Sequence, residues 1–205
     1  LRNGVYVLAQ MVRDPYLVFF NHFNEENNWK GVTLKEEDIL FCKAVTRQFL
    51  RYSPVAIVKE VNPLLDYELP KEWIYSHIGG HPITVSVKGR ERQLAGFGRR
   101  CSLVLADKDS GQPEDNPLMG LFQAYIIPDI KEQDWDRVGQ AELMSIEVFP
   151  TLNERLYLCF LYGKNINPEQ DISLGKPLPD DYETYIDILT NSPEARRLYL
   201  GEHEE

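Results

Sequence analysis

Thirteen positions hold Lys88, Arg90, Arg92, Arg99 and Arg100, five of the 22 basic residues in a chain whose net charge is −10. Arginine presents a planar fork of donors that matches carboxylate and phosphate oxygens, so this stretch is the clearest candidate for anion recognition. Gly89, Gly96 and Gly98 thread it, and glycine either turns with φ above zero or lets a backbone approach a ligand closely. The competing account is a solvated edge hairpin whose charges block strand-to-strand aggregation, with Glu91 neutralising part of it. If all five met phosphates of duplex DNA, the salt slope would be at most roughly −4.5. That is modest binding; an acidic protein partner or a small anionic ligand suits the patch equally well, and among macromolecules a protein is expected ahead of nucleic acid.

The other chemistry-bearing residues form weaker patterns. His77 and His81 stand four apart, but Gly79-Gly80 breaks any helix that would bring them to one face, and no Glu sits where a zinc-protease HExxH motif needs its base. Asp107 and Asp109, with Glu114 and Asp115, offer hard oxygen ligands in one loop, yet Leu118 occupies the position of the bidentate Glu in a twelve-residue calcium loop. Asp107, Asp109, Asp129, Glu142 and Glu147 form the ligand pool that a metal-dependent nuclease or phosphodiesterase would draw on. Glu147 is followed by Val148 and Phe149, so the lysine of an E-x-K strand motif is missing. No G-x-S-x-G, G-x-G-x-x-G or P-loop sequence is present. The residues therefore imply no metal and no cofactor. Trp29, in a polar loop, and Trp135, between Asp134 and Asp136, are candidate partner contacts because tryptophan is enriched at binding hot spots.

Composition sets the frame for these residues. With 43% hydrophobic and 26% charged residues among 205, the chain carries enough apolar surface for a core. Its acidity repels phosphate backbones and anionic bilayers over most of the surface. Cys42, Cys101 and Cys159 are far apart and set in apolar stretches, which reads as reduced core thiols in a cytoplasmic or other reducing compartment. No signal segment or apolar run near 18 residues suggests export or a membrane span. The chain starts at Leu1, so residues upstream can be missing.

Punctuation and periodicity predict the elements that position these residues. Asp14-Pro15 reads as a helix start before Tyr16 to Phe23. Thr33-Leu34-Lys35-Glu36 reads as a capping box for a helix to about Arg51, with Ile39, Cys42, Val45 and Phe49 on its buried face. Ser53-Pro54 and Lys71 to Ile78 suggest shorter helices. After Gly79-Gly80 the period shifts to two: Ile83 to Lys88 alternates strictly, and Leu94 to Phe97, Cys101 to Ala106 and Leu118 to Ile127 read as further strands. Met144 to Phe149 and Arg155 to Tyr162 read as a hairpin, Gly163 to Pro179 as a long loop, and Asp180 to Leu189 and the residues from Ser192 as two closing helices.

The expectation is one α+β domain over 1–205: a helical part (1–80) packed on a mainly antiparallel five- to six-stranded sheet (81–163), then a surface loop and two C-terminal helices (164–205). The function expected is that of a non-enzymatic interaction module that takes a macromolecular partner through the basic, glycine-rich hairpin. A metal-dependent nuclease or phosphodiesterase and a small-molecule sensor with a pocket between helices and sheet are the alternatives.

Overall fold

A computed structural model of the chain describes residues 1–106 and 124–192. In chain order the strands are β1 (Tyr6–Arg13), β2 (Tyr16–Asn24), β3 (Ile39–Val45), β4 (Glu72–His77), β5 (Ile83–Val87), β6 (Arg90–Leu94), β7 (Arg100–Leu105), β8 (Ala124–Ile127), β9 (Glu142–Leu143) and β10 (Ile146–Glu147). The α-helices are α1 (Arg47–Tyr52), α2 (Trp135–Val138), α3 (Thr151–Tyr162), α4 (Pro168–Leu174) and α5 (Glu183–Leu189). The chain forms two compact units: one from Leu1–Glu68, Ser145–Pro168 and the chain from Asp180, the other from Leu69–Met144 and Glu169–Pro179. Among the described residues no helix is long and apolar enough to cross a membrane.

In the first unit a four-stranded sheet runs β1-β2-β3-β10. β1, β2 and β3 are antiparallel neighbours, and the short β10 joins β3 in parallel. Leu17 and Phe19 of β2 and Phe41 and Val45 of β3 pack with Phe49 of α1 and with Leu152, Leu156 and Cys159 of α3. Thr46 caps α1, its hydroxyl accepting from the Phe49 amide. The same core buries charge: Lys43 and Arg155 are fully enclosed and Glu147 nearly so.

The second unit carries the sheet β8-β7-β4-β9 and the separate hairpin β5–β6. Ile74 of β4 and Cys101 and Leu103 of β7 face a core completed by Ile130, Val138 and Leu143. The hairpin turns through Lys88 and Gly89, whose φ values are 49° and 70°; a two-residue turn of this hand requires the left-handed region at both positions.

The helical first half expected from the sequence is overturned. Residues 1–80 hold four strands and a single six-residue α-helix, α1. Asp14-Pro15 is the turn between β1 and β2, and Tyr16 to Phe20 is a central strand covered on both sides, since Leu17 through Phe20 are all buried. A strand buried on both faces reads as a continuous apolar run and loses its alternation. β3 misled in the same way. Its Ile39, Cys42 and Val45 match a helical step, yet Leu40, Phe41 and Ala44 between them are buried too. The capping signal at Thr33 yields only a 3-10 turn over Glu36–Asp38, where the Asp38 carboxylate takes the Lys35 amide at 3.2 Å. Residues 53–64 form no helix, and the helix expected over Lys71 to Ile78 is β4.

The opposite error fell on residues 155–162. Arg155-Leu-Tyr-Leu-Cys-Phe-Leu-Tyr resembles a strand by its aromatic content, but it lies in α3, whose first nine residues are all buried. A helix buried all round shows no apolar stripe to read. In place of the expected hairpin, β9 and β10 each supply two parallel residues, one to each four-stranded sheet. The span expected as a loop over 163–179 contains α4. The single five- to six-stranded sheet is replaced by two four-stranded sheets and the β5–β6 ribbon. β5, β7 and α5 stand where the sequence placed them. The acidic loop 107–117, the start of the strand expected from Leu118 and the last helix lie outside the described residues.

Candidate functional site

The β5–β6 register sets how the basic residues are displayed. Val87 pairs with Arg90 and Val85 with Arg92, and cross-strand partners share a face. Val85, Val87 and Leu94 are buried, so Arg90 and Arg92 rise from the margin of the ribbon's apolar face, and Glu91 lies on the opposite, exposed face. Lys88 is exposed at the turn.

Arg99 precedes β7 and ties this corner to the ribbon. Its Nη2 donates to the Thr84 carbonyl on β5 at 2.8 Å, and its guanidinium passes so close to Gly175 that a Cβ there would meet Nη1 at 3.0 Å. A main-chain carbonyl and a bare glycine thus orient the group while the residue stays exposed. Gly98 has a different duty from the one its setting suggested. A Cβ on it would overlap the His77 carbonyl oxygen, and one on Gly79 would come within 3.2 Å of the Phe97 carbonyl. Two backbones cross there, and the glycines serve that crossing.

Arg100 belongs to the other sheet of the unit. It pairs with His77 across β7 and β4, on the face that also bears Tyr75 and Ser102. The Ser102 hydroxyl donates to the Pro128 carbonyl at 2.6 Å, and His77 Nε2 lies 2.9 Å from Ser102 Oγ. A hydroxyl has one proton to give, so His77 donates through Nε2–H and is fixed as that tautomer. This polarity is the reverse of what a serine-activating base needs, and Ser102 is fully buried. Partial burial, and next the Arg100 charge, lower the His77 pKa, with Asp129 pulling the other way. Asp129 is held low first by its bond from Lys131, at 2.7 Å, and further by Arg100 and His77. The His77, Arg100 and Asp129 grouping is a polar corner that sequence reading missed, because strand register sets His77 opposite Arg100 and the bend after β8 brings Asp129 near them.

The remaining candidates scatter. Trp135 opens α2, half-buried against the second unit's core, with Lys176 Nζ 5.6 Å from its ring centre. Trp29 is in the first unit and buried; its Nε1 donates to Asn27 Oδ1 at 2.8 Å, and it lines an apolar cavity. Of the nuclease ligand pool, Asp107 and Asp109 lie outside the described residues, Glu142 is buried in the second unit, and Glu147 is buried in the first beside Lys43 and Arg155. Among the described residues no three His, Cys, Asp or Glu side chains gather closely enough to hold a metal ion.

Comparison with known proteins adds one likeness. No curated protein and no solved structure matches the chain. Residues 1–87 match the family model of a domain of unknown function (DUF8309), a stretch that includes the cavity's lining apart from Asn153 and Leu156.

Proposed function

We propose that the chain is a non-enzymatic interaction module whose second unit docks acidic groups of a macromolecular partner, protein in preference to nucleic acid, on the β5–β6 ribbon and the adjoining Arg99-Arg100 corner. The observation that carries this reading is the pair of consecutive exposed arginines, one of them oriented by the Thr84 carbonyl. A carbonyl fixes the guanidinium without cancelling its charge, so less side-chain entropy is lost when a carboxylate arrives. Three free thiols, all buried, suit a reducing intracellular setting.

The test is capture of binding proteins from the native source by the full chain and by an R99E/R100E double variant, each with and without EDTA. Capture should be lost in the double variant and be indifferent to EDTA. Undiminished capture by the variant removes this corner from the interface, and an EDTA-sensitive interaction points to metal chemistry instead.

A further inference from the structure

β1 is the outer strand of the first unit's sheet, and after α1 the chain returns past it as an irregular strap, residues 53–64. The strap is pinned at both ends. Ser53 Oγ donates to Asn153 Oδ1 at 3.0 Å. At the far end the Gln10 side chain grips Leu64 twice, accepting from its amide at 2.8 Å and donating to its carbonyl at 2.7 Å. Asn62 adds main-chain bonds to Val32 and Leu34. Between strap and strand lies a cavity of about 710 Å³, with Phe19, Trp29, Phe49 and Leu156 among its walls.

From this geometry we infer that the first unit is a binding site for a neutral, predominantly hydrocarbon small molecule. The volume falls inside the range of natural ligand pockets, and at interior packing density it holds roughly 25 non-hydrogen atoms. No Asp, Glu, Lys, Arg or His lines it. The α-amino group of Leu1, also at the wall, is held by the Val5 carbonyl at 2.8 Å and burial lowers its pKa, so a charged group brought inside would lose its water with no side-chain counter-charge to meet it. Three polar side chains on the wall are engaged by the protein, Gln10 with Leu64, Asn27 with the Trp29 indole and Asn153 with Ser53, while the Tyr6 hydroxyl stays available at the wall. A ligand rich in hydrogen-bonding groups would find few partners, whereas an apolar one needs none. Val55 and Ile57 line the cavity from the strap yet are 59% and 89% exposed, so apolar surface at the mouth stays in water until an occupant covers it.

The full chain titrated with the neutral dye Nile red should show saturable, single-site fluorescence enhancement. Dodecanol should displace the dye at least tenfold better than dodecanoate. Ala9→Trp on β1 and Ala56→Trp on the strap each place an indole in the cavity from a separate, exposed position, and each should weaken the dye at least tenfold with the melting temperature kept. Two variants guard against one of them failing to fold. Absent or non-saturable binding, binding untouched by both variants, or equal competition by the carboxylate overturns the assignment. So does self-association of the chain that I57E abolishes, which would make a second copy the occupant.

Discussion

At the scale of single residues, the first unit's core makes an unusual commitment. Arg155 is fully buried, its guanidinium 3.6 Å above the Phe41 ring and 3.7 Å from Glu147, with Nε donating to the Ile166 carbonyl and Nη2 to Asn165. Lys43, also enclosed, donates to Ser145 Oγ at 2.9 Å and stands 3.9 Å from Glu147. Removing one member of such a group strands the others in low dielectric, so Arg155→Met should cost about 3–5 kcal/mol, read from urea denaturation. Cys101 gives a second test at this scale. Burial pushes its thiol up to about 11, although a hydrogen bond from Ser76 works against that. The folded state then keeps a proton that the unfolded chain releases nearer 9, so stability falls as pH rises from about 9 to about 11. At pH 8 the native thiol should resist Ellman's reagent until denaturant is added, and rapid native-state reaction would contradict the burial that causes the shift.

At the scale of elements, the crossing of the His77 and Gly98 backbones fixes how the β5–β6 ribbon leaves the sheet. Gly98→Ala sets a methyl group against a carbonyl oxygen that no side-chain motion can clear, so it should destabilise the second unit by at least as much as an overpacked core change, about 1–3 kcal/mol or more. Amide exchange across β4 and β7 measures it, and unchanged protection would show that the crossing yields easily. Elements also mark where the sequence was legible. Thr84 and Ser86 face water while Val85 and Val87 face inward, so the alternation of β5 is visible in the residue types. Residues 17–20 of β2, 40–45 of β3 and 151–159 of α3 are buried without a break, and such enclosure erases the period that separates strand from helix. The basic cluster was legible as composition. Its division between β6 and β7 was not, because register depends on pairing partners far along the chain. Trp29 read as a surface residue because its loop is polar, and nothing local signals that its ring turns inward.

At the scale of the whole molecule, charge limits what the basic corner can bind. With a net charge of −10 and a pI near 5.0, most of the surface repels a polyanion, and five cations at best support a salt slope of roughly −4.5. Duplex DNA should therefore show no mobility shift with this chain at 0.15 M salt; a shift would move nucleic acid ahead of protein as the partner. Chain connectivity carries a last consequence. β1, β2 and β3 are made first, but β10 and α3, which complete their sheet and core, follow only after residues 69–144 of the other unit. At a synthesis rate of about 5–20 residues per second, Leu17, Phe19 and Phe41 spend several seconds on the ribosome without their roof, which makes the nascent chain, more than the finished protein, the species that a ribosome-associated chaperone would hold.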